Sequence, residues 1–301
     1  MSSRTEVASA LHTAHSPGAT LAALWELSKP GITGMVVVTM LCGALTAPGS
    51  VPLATLLIAL LGTASVVAAS NALNMVWERD TDALMRRTCT RPLPTGRLNL
   101  EVASLFALVT AVAGFLALYY FVGALPAVLT LLAFGSYVLV YTPLKRVSPL
   151  ALFVGAVPGA IPPLVGWASV TGSLDALAWI LFGILFVWQL PHFLAIATFR
   201  TSEYARAGMR VLPVVHGIRR AKIELVLYSL LLVVVSLLPV VLGLVGFGYL
   251  AIALPAGLGF LWLATAGFSV TDDARWARRV FFASMPYLVV VFGALSLFAA
   301  L

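Results

Sequence analysis

Charge is what this sequence has least of. Only 10% of its 301 residues are Asp, Glu, Lys or Arg, and 61% are hydrophobic, whereas a soluble domain carries about 25% charged residues. Mean hydropathy is +1.04. This excludes water as the main solvent of the fold, and the gaps between apolar runs are too short for a separate soluble domain. Cysteine is nearly absent as well. Cys42 in an apolar run and Cys89 in a basic loop give neither a disulfide framework nor metal-site spacing. The first twenty or so residues (MSSRTEVASALHTAHSPGAT) lack the apolar core and cleavage pattern of a signal peptide. Residues 1–22 are therefore expected to form a disordered cytoplasmic tail, and 23–301 a single membrane-embedded domain.

What is present is a series of apolar runs, each on the order of the 20 residues that cross a hydrocarbon core. They lie near 30–47, 52–76, 101–122, 124–142, 149–170, 176–199, 224–243, 246–268 and 280–300. Nine alternating spans place the tail, Lys29 and the segments 77–100, 143–148, 200–223 and 270–279 on one side. All 18 Lys and Arg residues fall there, whereas the opposite loops hold no basic residue and one acid, Asp175. The positive-inside rule makes the basic side cytoplasmic, with the N-terminus in and the C-terminus out. The formal charge of +7 thus reflects topology and not nucleic-acid binding. For Lys145, Arg219, Arg220, Arg275, Arg278 and Arg279, topology alone is as good an explanation as a site.

The segment after the second run demands more than topology. In NALNMVWERDTDALMRRTCTRPLPTGR, Asn74, Glu78 and Asp82 recur every four residues, with Asn71 one turn earlier, which puts them on one helical stripe. Oxygen-bearing side chains in a row suit Mg²⁺, a hard cation usually held by one or two carboxylates plus substrate phosphates. Asp80 falls off the stripe. Arg86, Arg87, Arg91 and Arg97 follow, cations able to grip diphosphate oxygens. The bland alternative is a solvated loop with incidental ion pairs. Against it, polar groups at the edge of a bilayer are costly unless used.

A second cluster, WQLPHFLAIATFRTSEYARAGMRVLPVVHG, ends the sixth run. Gln189, His192, Ile196, Phe199 and Glu203 share a stripe, with Arg200 and Tyr204 close by. A lone helical histidine is commonly a satisfied packing residue, yet one lying turns inside the bilayer is a functional candidate. Both clusters end even-numbered spans, a pattern of two related four-helix halves plus one extra helix. Between them, YTPLKRVSPLALFVGAVPGAIPPLVGW carries Lys145 and Arg146 where they meet anionic groups at the interface. Its Gly155, Ala156, Gly159 and Ala160 permit close helix packing, and Pro158, Pro162 and Pro163 are expected to bend the fifth span.

The stripe Asn74, Glu78, Asp82 resembles the first Asp-rich motif, NxxxDxxxD, of the UbiA superfamily of intramembrane prenyltransferases, with Glu78 in the middle place. LSKPGIT, RTCTRPLPTGR, YTPLKR, PGAIPPLVGW, WQLPHF and EYARAGMRVLPVV resemble the branch of that family that farnesylates protohaem IX, over residues 25–220, with weaker similarity through ARRVFFASMPY. Glu203-Tyr204 stands where the branch usually has Asp-Tyr, and Met209-Arg210-Val211 departs from its pattern by one added charge. The resemblance implies an all-α membrane bundle in a bacterial inner membrane, its site facing the cytoplasm. It implies Mg²⁺ held through diphosphate by Asn74, Glu78 and Asp82, with Arg86, Arg87, Arg91, Lys145 and Arg146 binding the diphosphate. It further implies farnesyl diphosphate as donor and haem B as acceptor substrate, not cofactor. Gln189, His192, Arg200, Glu203 and Tyr204 then fall on the acceptor side, with His192 also a catalytic candidate. Implied partners are the lipid bilayer and haem A synthase or terminal oxidase assembly. Rival readings are a UbiA-type enzyme with another aromatic acceptor, which calls for a second acidic cluster near 200–208, a membrane transporter, and a haem-handling protein without catalysis.

Overall fold

Backbone polar groups in hydrocarbon must be satisfied within their own segment, and helices do this. The computed structural model describes residues 17–145 and 147–299, and every regular element among them is helical. Two short helices open the described chain, α1 (Pro17–Leu27) and α2 (Pro30–Thr46), bent by 50° across the break between them. The remaining membrane-length helices are α3 (Leu53–Leu84), α4 (Leu100–Phe121), α5 (Ala124–Leu144), α6 (Ala151–Thr171), α7 (Ala176–Phe199), α9 (Leu212–Val241), α10 (Phe247–Ser269) and α11 (Asp273–Ala299). Among the described residues this gives eight spans, or nine when the bent α1–α2 pair is taken as one. A short six-residue helix, α8 (Thr201–Arg206), follows α7.

The spans stand where the apolar runs predict them, but several helices outrun their apolar sequence on the basic side. Helix α3 continues to Leu84 instead of ending near 76, α9 starts at Leu212 instead of 224, and α11 starts at Asp273 instead of 280. Residues 17–22, expected in the tail, belong to α1, while 1–16 and Arg146 lie outside the described residues. Backbone hydrogen bonding does not stop where lipid does, so polar turns extend each helix into the interface.

Helices α6 and α7 form the centre: 67% and 72% of their apolar windows are buried, against 44% or less for the other spans. Small residues make that possible. A Cβ on Gly166 would collide with the Met40 carbonyl, and one on Gly43 with the Pro163 backbone, so α2 and α6 touch backbone to backbone. Helix α6 breaks at Ile161, as its prolines predict, because Pro162 and Pro163 each lack an N–H. Helix α5 contains a π-helical stretch, Ser136–Tyr141, that no sequence pattern announced.

Candidate active site

Helix α3 brings its polar stripe together as the spacing requires. Asn74, Glu78 and Asp82 are 2%, 6% and 0% exposed, while Asp80 turns outward with its side chain 84% exposed and pairs with Arg79 at 3.0 Å. The chain then folds back through a turn in which the Thr88 hydroxyl donates to the Asp82 carbonyl at 2.8 Å. That return delivers Arg91, whose Nη1 donates to Asp82 Oδ2 at 2.7 Å. The other oxygen, Asp82 Oδ1, is buried with no hydrogen-bond partner.

The end of α5 supplies the opposite wall. Lys145 pairs with Glu78 as an ionic contact without hydrogen-bond alignment, and its ammonium also lies 5.5 Å from the centroid of the Tyr141 ring. The Tyr141 ring covers Gly155 of α6, where a Cβ would collide with it. Thr142, 1% exposed, donates to the Tyr137 carbonyl at 2.9 Å and accepts from Asn74 Nδ2 at 3.4 Å. The Asn74 amide is thereby oriented, and its Oδ1 accepts from Lys29 Nζ at 3.0 Å.

Lys29 sits in the joint between α1 and α2, outside both helices, in the left-handed conformation (φ 47, ψ 65). Such a backbone costs a non-glycine residue about 1–2 kcal/mol. Asn71 Nδ2 holds the joint by donating to the Ser28 carbonyl at 3.2 Å. Burial in the cluster first, then repulsion from Arg91, pushes the Lys29 ammonium down to about 7. Arg87 is exposed but close enough to add to that repulsion. Arg86 is exposed and makes no ion pair among the described residues. Arg97 turns away to Glu26 at 2.9 Å.

The second cluster divides. Gln189 Nε2 donates to the carbonyls of Ala156 and Leu185 at 3.0 and 3.1 Å, and its side chain fills the space left by Gly159, so it clasps α7 to α6. His192 is 7% exposed, stacked on Trp188 at 4.5 Å and tilted on Phe281 at 4.8 Å. Its Nδ1 meets Ser284 Oγ at 2.6 Å, and Ser284 Oγ donates to the Phe281 carbonyl at 2.6 Å. Ser284 thus fixes the orientation of the imidazole through Nδ1. Arg200 pairs with Glu203 at 2.9 Å.

The sequence profile of the UbiA prenyltransferase family matches residues 35–285. The chain belongs to that family. Among curated relatives of this UbiA protein, "Protoheme IX farnesyltransferase" of Sorangium cellulosum is 52% identical over 82% of this chain and 89% of its own. The protein of the same name in Anaeromyxobacter dehalogenans is 46% identical over 95% and 96%. Its fold is similar to that of a solved digeranylgeranylglyceryl phosphate synthase (TM-score 0.78, 17% identity, 93% of this chain and 98% of that one). It is likewise similar to a UbiA homologue of Archaeoglobus fulgidus solved with DMAPP and Mg²⁺ (TM-score 0.68, 16% identity, 91% and 99%).

As a UbiA enzyme the protein is a prenyltransferase, and its α3 residues fit a hard divalent cation. Two carboxylates and an amide oxygen converge, one carboxylate oxygen is unclaimed, and all donors are oxygen. Among the described residues no group of three or more His, Cys, Asp or Glu could hold a metal alone. Three members of the site are not singled out by the sequence pattern: Lys29, whose charge also fits topology alone, Tyr141 and Thr142. The motifs LSKPGIT and YTPLKR contain them, but nothing in either run reveals a contact to α3.

Proposed function

We propose that this protein transfers the farnesyl group of farnesyl diphosphate to a vinyl group of haem B, with addition of water, to give haem O for terminal oxidases. The observation that supports this most is the buried carboxylate pair of α3, each member matched to a cation, in a chain 52% identical to a protein named for this reaction. The basic face is the cytoplasmic one, in a bacterial inner membrane, and products pass to haem A synthase or oxidase assembly.

Asn74, Glu78 and Asp82 would hold Mg²⁺, which supplies charge neutralisation for the departing diphosphate. Arg91, Lys145, Lys29 and Arg87 bind and orient the diphosphate oxygens, with the exposed Arg86 beside them; Arg146, assigned to the same anion from the sequence, lies outside the described residues. Apolar helices exclude water while the allylic C–O bond breaks. The haem vinyl group attacks the allylic carbon, water adds to the resulting cation, and a proton is released. His192 is the group assigned to take that proton. The test is mass spectrometry of haems extracted from cells with and without the protein. A new haem bearing a hydroxyethylfarnesyl group is the expected result. A prenylated quinone with unchanged haem overturns the acceptor assignment.

A further inference from the structure

On the basic side of the seam between α7 and α11, two guanidiniums share one aromatic floor. Arg200 lies 5.4 Å and Arg278 5.6 Å from the centroid of the Phe199 ring. Arg200 has a carboxylate, Glu203, at 2.9 Å; Arg278 is exposed and has none among the described residues. One positive charge at this rim is therefore left without an acid. Phe193 lies about two turns before the end of α7, which Arg200 caps, and is 41% exposed. Phe282 stands four positions after Arg278, one turn deeper on α11, and is 67% exposed. Between them Phe281 joins Phe199 at 5.9 Å, Phe282 at 5.1 Å and His192 at 4.8 Å.

Two helices thus each present an arginine at the polar boundary above an exposed ring, and a line of aromatic contacts leads inward to His192. A ligand matching this surface is flat and apolar, with two carboxylates on one edge. A phospholipid matches the rim less well, since one phosphate engages a single centre of charge and acyl chains gain nothing from flat ring faces. We infer that this seam docks the edge carboxylates of the acceptor, with Arg278 as a carboxylate-binding cation beside Arg200. The inference rests on haem B being the acceptor, whose two propionates supply that edge.

The experiment titrates purified protein with haem B and with its dimethyl ester, following the Soret absorbance. Wild-type protein should bind the diacid on the order of tenfold more tightly than the ester, the effect of charged hydrogen bonds in a partly dry site. Arg278→Gln should lose most of that preference and Arg278→Lys should keep part of it. Farnesyl diphosphate affinity should not change in either, which also reports that the variants fold. Arg219→Gln, an exposed arginine with no ring contact among the described residues, should behave as wild type. An undiminished diacid preference in Arg278→Gln overturns the inference even where the haem product forms. Loss of phosphatidylglycerol retention in nanodiscs, with haem affinity unchanged, gives the seam to lipid and overturns it too. Absence of any farnesylated haem from wild-type cells sinks the proposed function itself, a result separable from either.

Discussion

Asp82 has one oxygen held by Arg91 and the other without a hydrogen-bond partner among the described residues. Replacing it with Asn keeps the shape and removes the charge, and should cut turnover about 10²-fold or more, the scale on which preorganised electrostatic groups act. Glu78→Ala and Asn74→Ala should be comparably damaging, whereas Asp80→Ala, out in solvent, should be nearly silent; equal losses at Asp80 and Asp82 in a product assay would refute the single-stripe site. Thr142 acts through Asn74. Thr142→Val frees the amide to rotate, so it should raise the farnesyl diphosphate concentration needed for half-maximal binding, and Thr142→Ser should restore it. The four-residue rhythm of Asn74, Glu78 and Asp82 was readable because helical neighbours in space are near in sequence. Lys29 and Thr142 reach Asn74 across 45 and 68 positions, and no local rhythm encodes such contacts.

At the scale of helices, the seams are set by missing side chains. Gly155 lies under the Tyr141 ring, and Gly166 against the Met40 carbonyl, while Gly135 in α5 has open space around it. Gly155→Ala and Gly166→Ala should each destabilise the detergent-solubilised protein by about 1–3 kcal/mol through overpacking. Gly166→Ala should be the worse, because backbone yields less than a ring. Gly135→Ala should leave the melting temperature unchanged or slightly raised. Apolar runs located the helices well, since they record which turns face lipid. They placed the ends poorly at Leu84, Leu212 and Asp273, because a helix leaving lipid keeps its hydrogen bonds and loses only its hydrophobicity. The π-helical turn of α5 has a different reason for being unreadable: Ser136–Tyr141 is an apolar run with no feature that sets it apart from an ordinary α-helix.

For the molecule as a whole, the one-sided charge carries the topology. Reporters active only in the periplasm should report when fused after Ser50, Gly123 or Gly172 and stay silent after Arg97, Arg210 or Arg275. Mixed signals within either set would require a different span count and a new account of the basic loops. Chelation of divalent cations should stop product formation, with Mg²⁺ restoring it.

Helix α3 meets its ligands already in ionic balance: Asp82 is matched to Arg91 and Glu78 to Lys145. On the proposed function, substrate entry is an exchange of counterions and not an addition of charge to an open site. A divalent cation arriving alone must displace an arginine or a lysine and leave it stranded in a poorly hydrated place. Arriving with diphosphate, it takes the carboxylates while the displaced cations pass to phosphate oxygens. Metal and diphosphate should therefore bind as a mutually dependent pair. Calorimetry with either one alone should show weak heats, and with both together a saturable isotherm.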